Sequence, residues 1–297
     1  MKTTKIISII TLIVITAPFF TSCSNDKGCT DPVALNFDKK ADKDDGSCIY
    51  PTPTPPPHDD HAHLSFKFTH DFDGTPVTSA NFNTIQYTNA NGDQLSISKL
   101  RYLISNFRIH RAAPHNDSII IPGYKLVDLT VVGSDVYSPS NSIDYATISG
   151  ISFTIGFIAA DNISNFYTDL NAATWNWPGI LGGGYHYMQL EGQFIDSSST
   201  TVNYAFHYGT AREITITNDT IYHPNYGTAN ITSPFTLVKN VVEIEVKMNI
   251  AEWFKNPNTW DLNQYNSLLM PNYDAQILMQ QNSGSIFSMG TVTQSDH

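Results

Sequence analysis

Residues 241–248 read VVEIEVKM. Val242, Ile244, Val246 and Met248 alternate there with Val241, Glu243, Glu245 and Lys247. Successive side chains of a strand point to opposite faces, so a period of two gives one apolar and one charged face. The same rhythm opens the large C-terminal region. Leu64, Phe66 and Phe68 face one way, and His63, Ser65 and Lys67 the other. Further strands are predicted at 95–110, 124–132, 148–157, 185–195, 202–208 and 213–217. Asn89-Ala-Asn-Gly92 is a turn signal between strands. Only 250–256 and 259–269 suggest helix, and both are short. Many strands parted by turn residues predict an all-β domain over 61–297, a two-sheet antiparallel sandwich with short helices.

The first 22 residues do not belong to that fold. Lys2 and Lys5 precede a nearly unbroken apolar run, and Phe20-Thr-Ser-Cys23 follows. A basic start, a short apolar stretch and small residues before a cut describe a secretion signal. Cys after Thr21-Ser22 predicts a lipoprotein, with Cys23 lipidated and anchored to a membrane. The expected location is the outer membrane or cell surface. Removing residues 1–22 takes away two lysines and no acid, so the mature chain is more negative than the full chain's −11. That balance argues against a nucleic-acid partner.

The chain has three cysteines. With Cys23 carrying lipid, Cys29 and Cys48 remain, and an export compartment lets them pair. Between them lie Asp31, Asn36, Asp42, Asp44 and Asp45, oxygen ligands of the kind Ca²⁺ prefers. The pattern CTDPxAxNFxxxAxxDDGSC resembles a short module common in secreted Bacteroidetes proteins. It reads either as a calcium-stiffened spacer or as a disulfide-closed acidic loop without metal. Residues 51–60 contain PTPTPPP, which favours polyproline II and makes a semi-rigid linker.

Four of the ten histidines fall within residues 58–70, HDDHAHLSFKFTH. His61 and His63 share one strand face and have the spacing to chelate one ion. The alternative is a solvated, histidine-rich linker end. His70 has the opposite parity. His207 and His186 each lie alone on later predicted strands, where histidine is more often structural. Trp175 and Trp177 share strand parity and suit core packing, a stacking platform or redox chemistry. The sequence contains no G-x-S-x-G, H-E-x-x-H, C-x-x-C or phosphate-binding glycine loop, so the chain reads as a non-enzyme. Exposed aromatics would instead suit a surface glycan- or protein-binding module.

Several stretches then fall in a specific order. LSFKFTHDFDG and YTNANG precede SKLRYLISN, followed by ISFTIG, TWNW, GYHYMQLEG and FHYG. This order resembles the MbnP-like family of exported proteins across most of 62–290. The resemblance implies a β-sandwich with copper bound by histidines and an oxidised tryptophan. It also implies a dihaem peroxidase-like partner that makes the modification. His207 matches the F-H-x-G histidine, and Trp175 and Trp177 match the W-x-W pair. Residues 178–184 are an insertion between that pair and Gly184-Tyr185. The expected copper ligands are therefore His207 with His61 and His63, near Trp175 and Trp177, in a protein for metal acquisition or handling.

Overall fold

The computed structural model describes residues 26–51 and 60–296. The expected signal, Cys23 and most of the proline tract lie outside the described residues. The chain divides into two units, Met1–His58 and Asp59–His297.

In the first unit Cys29 and Cys48 form the expected disulfide. Lys27–Gly28 pairs in parallel with Lys43–Asp44. The acidic and amide side chains are used locally. Asp31 accepts from the Val33 N–H and the Tyr50 hydroxyl. Asp44 and Asp45 accept from the Gly46 and Ser47 N–H groups. Asn36 ties Ser47 to Ile49. Among the described residues no three His, Cys, Asp or Glu gather into a metal-holding group. Of the residues expected to bind calcium, Asp31, Asn36, Asp44 and Asp45 are engaged in hydrogen bonds within this unit.

The second unit contains nine strands of eight residues or more. They are β1 (His61–Phe72), β2 (Lys99–Arg111), β3 (Ser118–Asp128), β4 (Thr147–Ile155), β5 (Met188–Ile195), β6 (Thr201–Tyr208), β7 (Gly227–Thr236), β8 (Val241–Asn249) and β9 (Phe287–Ser295). The helices are short: α1 (Thr168–Ala172), α2 (Tyr273–Asn282) and a 3-10 segment over Ile250–Phe254. The stretch 259–269, expected as helix, is turns instead.

The first sheet is built on β1, β8 and β9, with Ser142–Asp144 on the far side of β1. The β1–β8 pairing is parallel, against the antiparallel expectation. The second sheet runs β7, β4, β2, β5, with β3 on β2 and β6 on β5. The two apolar faces meet in one core. Phe66 packs on Phe107, and Phe68 meets Tyr102 and Phe153 edge-on. Edge-on pairs suit the positive edge and negative face of aromatic rings.

The long strand β2 organises the second sheet. Its Lys99–Tyr102 portion pairs with β5, and Ile104–Arg111 pairs with β4. Leu100, Tyr102 and Ile104 point into the core, and so do Phe107 and Ile109. Parity must change between the two sets. It does so at a bulge where Asn106 takes φ 51°. Asn is among the few residues that tolerate the left-handed region. Leu103 faces outward and seeds a second cluster with Phe157, Leu170, Trp175 and Tyr185. The segment 157–187 thereby covers the outer face of the second sheet.

Candidate metal site

The covering segment places two indoles and one imidazole over β5 and β6. After α1 the chain crosses Trp175 and Trp177, makes a loop over 178–184 and returns through Tyr185. Trp177 N–H donates to Gly184 O, and His186 N–H donates to Trp175 O, both at 2.9 Å. The loop closes as a 3-10 turn over Gly179–Leu181, followed by three glycines at positive φ, Gly182 to Gly184. At Gly184 a β-carbon would lie 2.4 Å from the Asn162 amide, so only glycine fits. The loop over 178–184 thus holds Trp177, whose Nε1–H donates to Leu181 O at 3.1 Å.

Beneath this cover, β5 and β6 contribute their outward row. Arg101, Gln189 and His207 lie in register across β2, β5 and β6. His207 and His186 meet edge to face at 5.4 Å between ring centroids. His186 also lies 4.9 Å from Trp177 and 5.4 Å from Trp175. The Arg101 guanidinium sits 4.8 Å from the Trp175 ring centre and is paired to Asp128 at 2.9 Å.

Each imidazole has one nitrogen committed. His186 Nδ1 lies 3.1 Å from Trp175 O, and a carbonyl only accepts, so Nδ1 carries the proton. Its Nε2 is then a bare lone pair, buried with no hydrogen-bond partner. Burial pushes the His186 pKa down to about 4, so the ring is neutral at ordinary pH. His207 Nε2 lies 2.8 Å from Glu191 Oε1. Bonds from His207 and Lys99 hold the Glu191 carboxyl down at about 2, against its own desolvation. The ionised carboxylate accepts, so His207 donates from Nε2, and in the neutral ring Nδ1 is free. An imidazole oriented by a carboxylate or carbonyl on one nitrogen is the arrangement metal-binding histidines use. The buried, unpartnered His186 Nε2 fits a metal ligand. The Trp175 Nε1–H is likewise buried and without a partner.

The other expected ligands are elsewhere. His61 and His63 are exposed, on the face of β1 opposite Ala62 and Leu64, which enter the core. His61 pairs with Asp144 at 2.8 Å. His207 points outward from the other sheet, with Phe206 and Tyr208 on its core side. The imidazoles expected to converge therefore lie on opposite outer faces of the sandwich. The partner of His207 is His186, which the sequence reading left as structural. One signal could have found it: His186 directly follows the W-x-W loop and precedes the strand that carries Glu191. Trp175 and Trp177 are 0% and 2% exposed, so neither forms a surface stacking platform.

Fold and site together define a β-sandwich whose distinctive chemistry is a covered cluster of paired histidines and tryptophans on one sheet. The MbnP family model matches residues 61–271, and the chain belongs to the MbnP family. A solved structure, MbnP from Methylosinus trichosporium, aligns with 77% of this chain and 98% of its own, at 11% identity and a TM-score of 0.49. No curated protein sequence matches.

Proposed function

We propose that the protein binds copper through His186 Nε2 and His207 Nδ1, as a non-enzymatic handling or acquisition protein outside the cytoplasm. The observation that carries this reading is the matched pair of imidazoles, each with one nitrogen tied and the other free. Family membership supports it. Imidazole nitrogens suit copper, and the buried neutral ring needs no deprotonation before it binds. Copper held there would rest beside two indoles. Glu191 and the Trp175 carbonyl would fix the two rings. The loop over 178–184 would cover them, with Arg101 held against Trp175 beside the rings. In the same reading a lipid on Cys23 tethers the domain to a membrane, and a dihaem peroxidase-like enzyme is the partner that acts on an indole. The glycan-binding alternative loses its platform because both tryptophans are buried.

The test is elemental analysis of the exported protein as purified, beside His186→Ala and His207→Ala. Copper retained at wild-type stoichiometry in both variants would overturn the assignment.

A further inference from the structure

A second cavity lies in the first sheet's half of the sandwich, lined from β1, the turn after it and residues 128–136. It has a volume of about 650 Å³, inside the range of about 300–1,000 Å³ typical of small-molecule sites. Its walls include Phe68, Val77, Leu129 and Val136, and the exposed Val131 and Val132 stand at its rim. Polar side chains alternate with these walls, but most are already matched: Thr69 donates to Glu245, and Thr130 and Ser134 donate to Asp128. Lys67 is paired with Asp135. Asp128 is paired with Arg101. His70 lines the cavity and lies 2.9 Å, through Nε2, from the hydroxyl of buried Tyr102.

That contact fixes what His70 offers. The Tyr102 phenol is fully enclosed and its pKa is raised well above 10 by burial, so it stays protonated. No other hydrogen bond of that hydroxyl is seen among the described residues. If His70 donated to it, the phenol proton would be left buried without an acceptor, which is costly. The phenol therefore donates to Nε2, and a neutral His70 must carry its proton on Nδ1. Burial keeps the ring neutral, with its pKa down at about 4. The lining thus combines apolar walls, hydroxyls that mostly donate to neighbouring groups, one imidazole donor and no uncompensated charge. A charged ligand would lose its hydration without gaining a counter-ion.

We infer that this cavity binds a small uncharged molecule, largely apolar, with one oxygen acceptor directed at His70. The candidate copper site lies on the outer face of the other sheet and meets this cavity's lining through the Arg101–Asp128 pair, not through its imidazoles.

The probe for the test is prodan, a neutral naphthyl ketone whose emission shifts blue in an apolar site and responds to hydrogen bonding at its carbonyl. The full chain is titrated with prodan, in parallel with the anionic 1-anilinonaphthalene-8-sulfonate. The expected result is saturable, one-to-one prodan binding with little uptake of the sulfonate. His70→Phe should weaken prodan about fivefold to tenfold, the worth of one hydrogen bond. Ser79→Trp changes an exposed lining residue, so it leaves the core intact while filling the space, and should abolish binding. That variant decides the question should His70→Phe fail to fold. His186→Ala should leave prodan affinity unchanged, which separates this result from the fate of the copper reading. Absence of saturable prodan binding, binding that survives Ser79→Trp, or equal uptake of the sulfonate would each overturn the inference.

Discussion

His207 Nε2 and Glu191 Oε1 lie 2.8 Å apart, and Lys99 Nζ reaches the same carboxylate oxygen at the same distance. One oxygen therefore anchors a cation from β2 and a ring from β6, across the strand that lies between them. The arrangement holds the imidazole with its other nitrogen free. It also makes Glu191 a positioning group for His207.

Glu191→Gln should accordingly weaken copper binding about 10- to 100-fold while leaving the ligand pair in place, the usual cost of losing an outer partner. Competition against a chelator of known affinity measures this. Wild-type affinity from Glu191→Gln would show that the carboxylate does not orient the ring.

Glu191 also predicts a stability change in acid. Its pKa falls from 4.5 to about 2 on folding. Above 4.5 the carboxyl is ionised in both states and the folded chain has its full contribution. As pH falls from 4.5 towards 2, the unfolded state takes up the proton first, and the contribution is lost. Urea unfolding across this window should show a steeper decline for the wild type than for Glu191→Gln.

His70 and His186 act at higher pH. Both are largely buried, and desolvation lowers each from 6.5 to about 4. Above 6.5 neither is charged in either state. Between 6.5 and 4 the unfolded chain binds the extra protons, so stability falls as pH falls. The slope is about 1.4 kcal/mol per pH unit for each histidine. The metal-free His186→Gln variant should lose about half of this combined slope. An unchanged slope would mean that the ring is already charged in the folded state.

The placement of His61 and His63 gives a simple contrast. The double change His61→Ala and His63→Ala should leave copper stoichiometry and affinity unaltered, because both side chains leave the far face of the other sheet. Loss of copper in that variant, measured by elemental analysis, would return them to the site.

Gly209 tests the indole cover. A β-carbon there would lie 2.6 Å from the Trp177 ring. Gly209→Ala should cost about 1–3 kcal/mol through overpacking. It should also move tryptophan emission to the red as Trp177 is pushed towards water. Unchanged emission would mean that the ring can shift without exposure.

The strongest sequence signals were those in which burial follows a clean period. β8 and the first half of β1 alternate without a break, so their faces were readable. β2 was readable only in halves, since the bulge at Asn106 reverses its parity. β7 and β9 carry many Thr and Ser residues, so no clean apolar period marks them. The same holds for α2, for a different reason. Two of its buried positions are Gln276 and Asn282, which cap backbone carbonyls instead of packing as hydrocarbons. Gln276 donates to His207 O and Leu269 O, and Asn282 to Trp253 O and Asn258 O. A hydrophobic stripe cannot report such residues. At the candidate site, motif order singles out His207 and the tryptophans, which the fold brings near one another through His186. The His186 contact depends on how the loop over 178–184 folds back, and residue spacing along one strand contains no record of that.

The parallel pairing of β1 with β8 sets the order in which the domain can assemble. The first of the nine long strands to be synthesised is the neighbour of one encoded near the other end. Until Val241–Asn249 follows, the hydrogen-bonding edge of β1 has no lasting occupant on that side. Such distant closure is slow. A nascent copy would therefore wait as an incomplete sheet, open to chaperones and to wrong strand partners, before the cluster on the opposite layer could be fixed against a finished core.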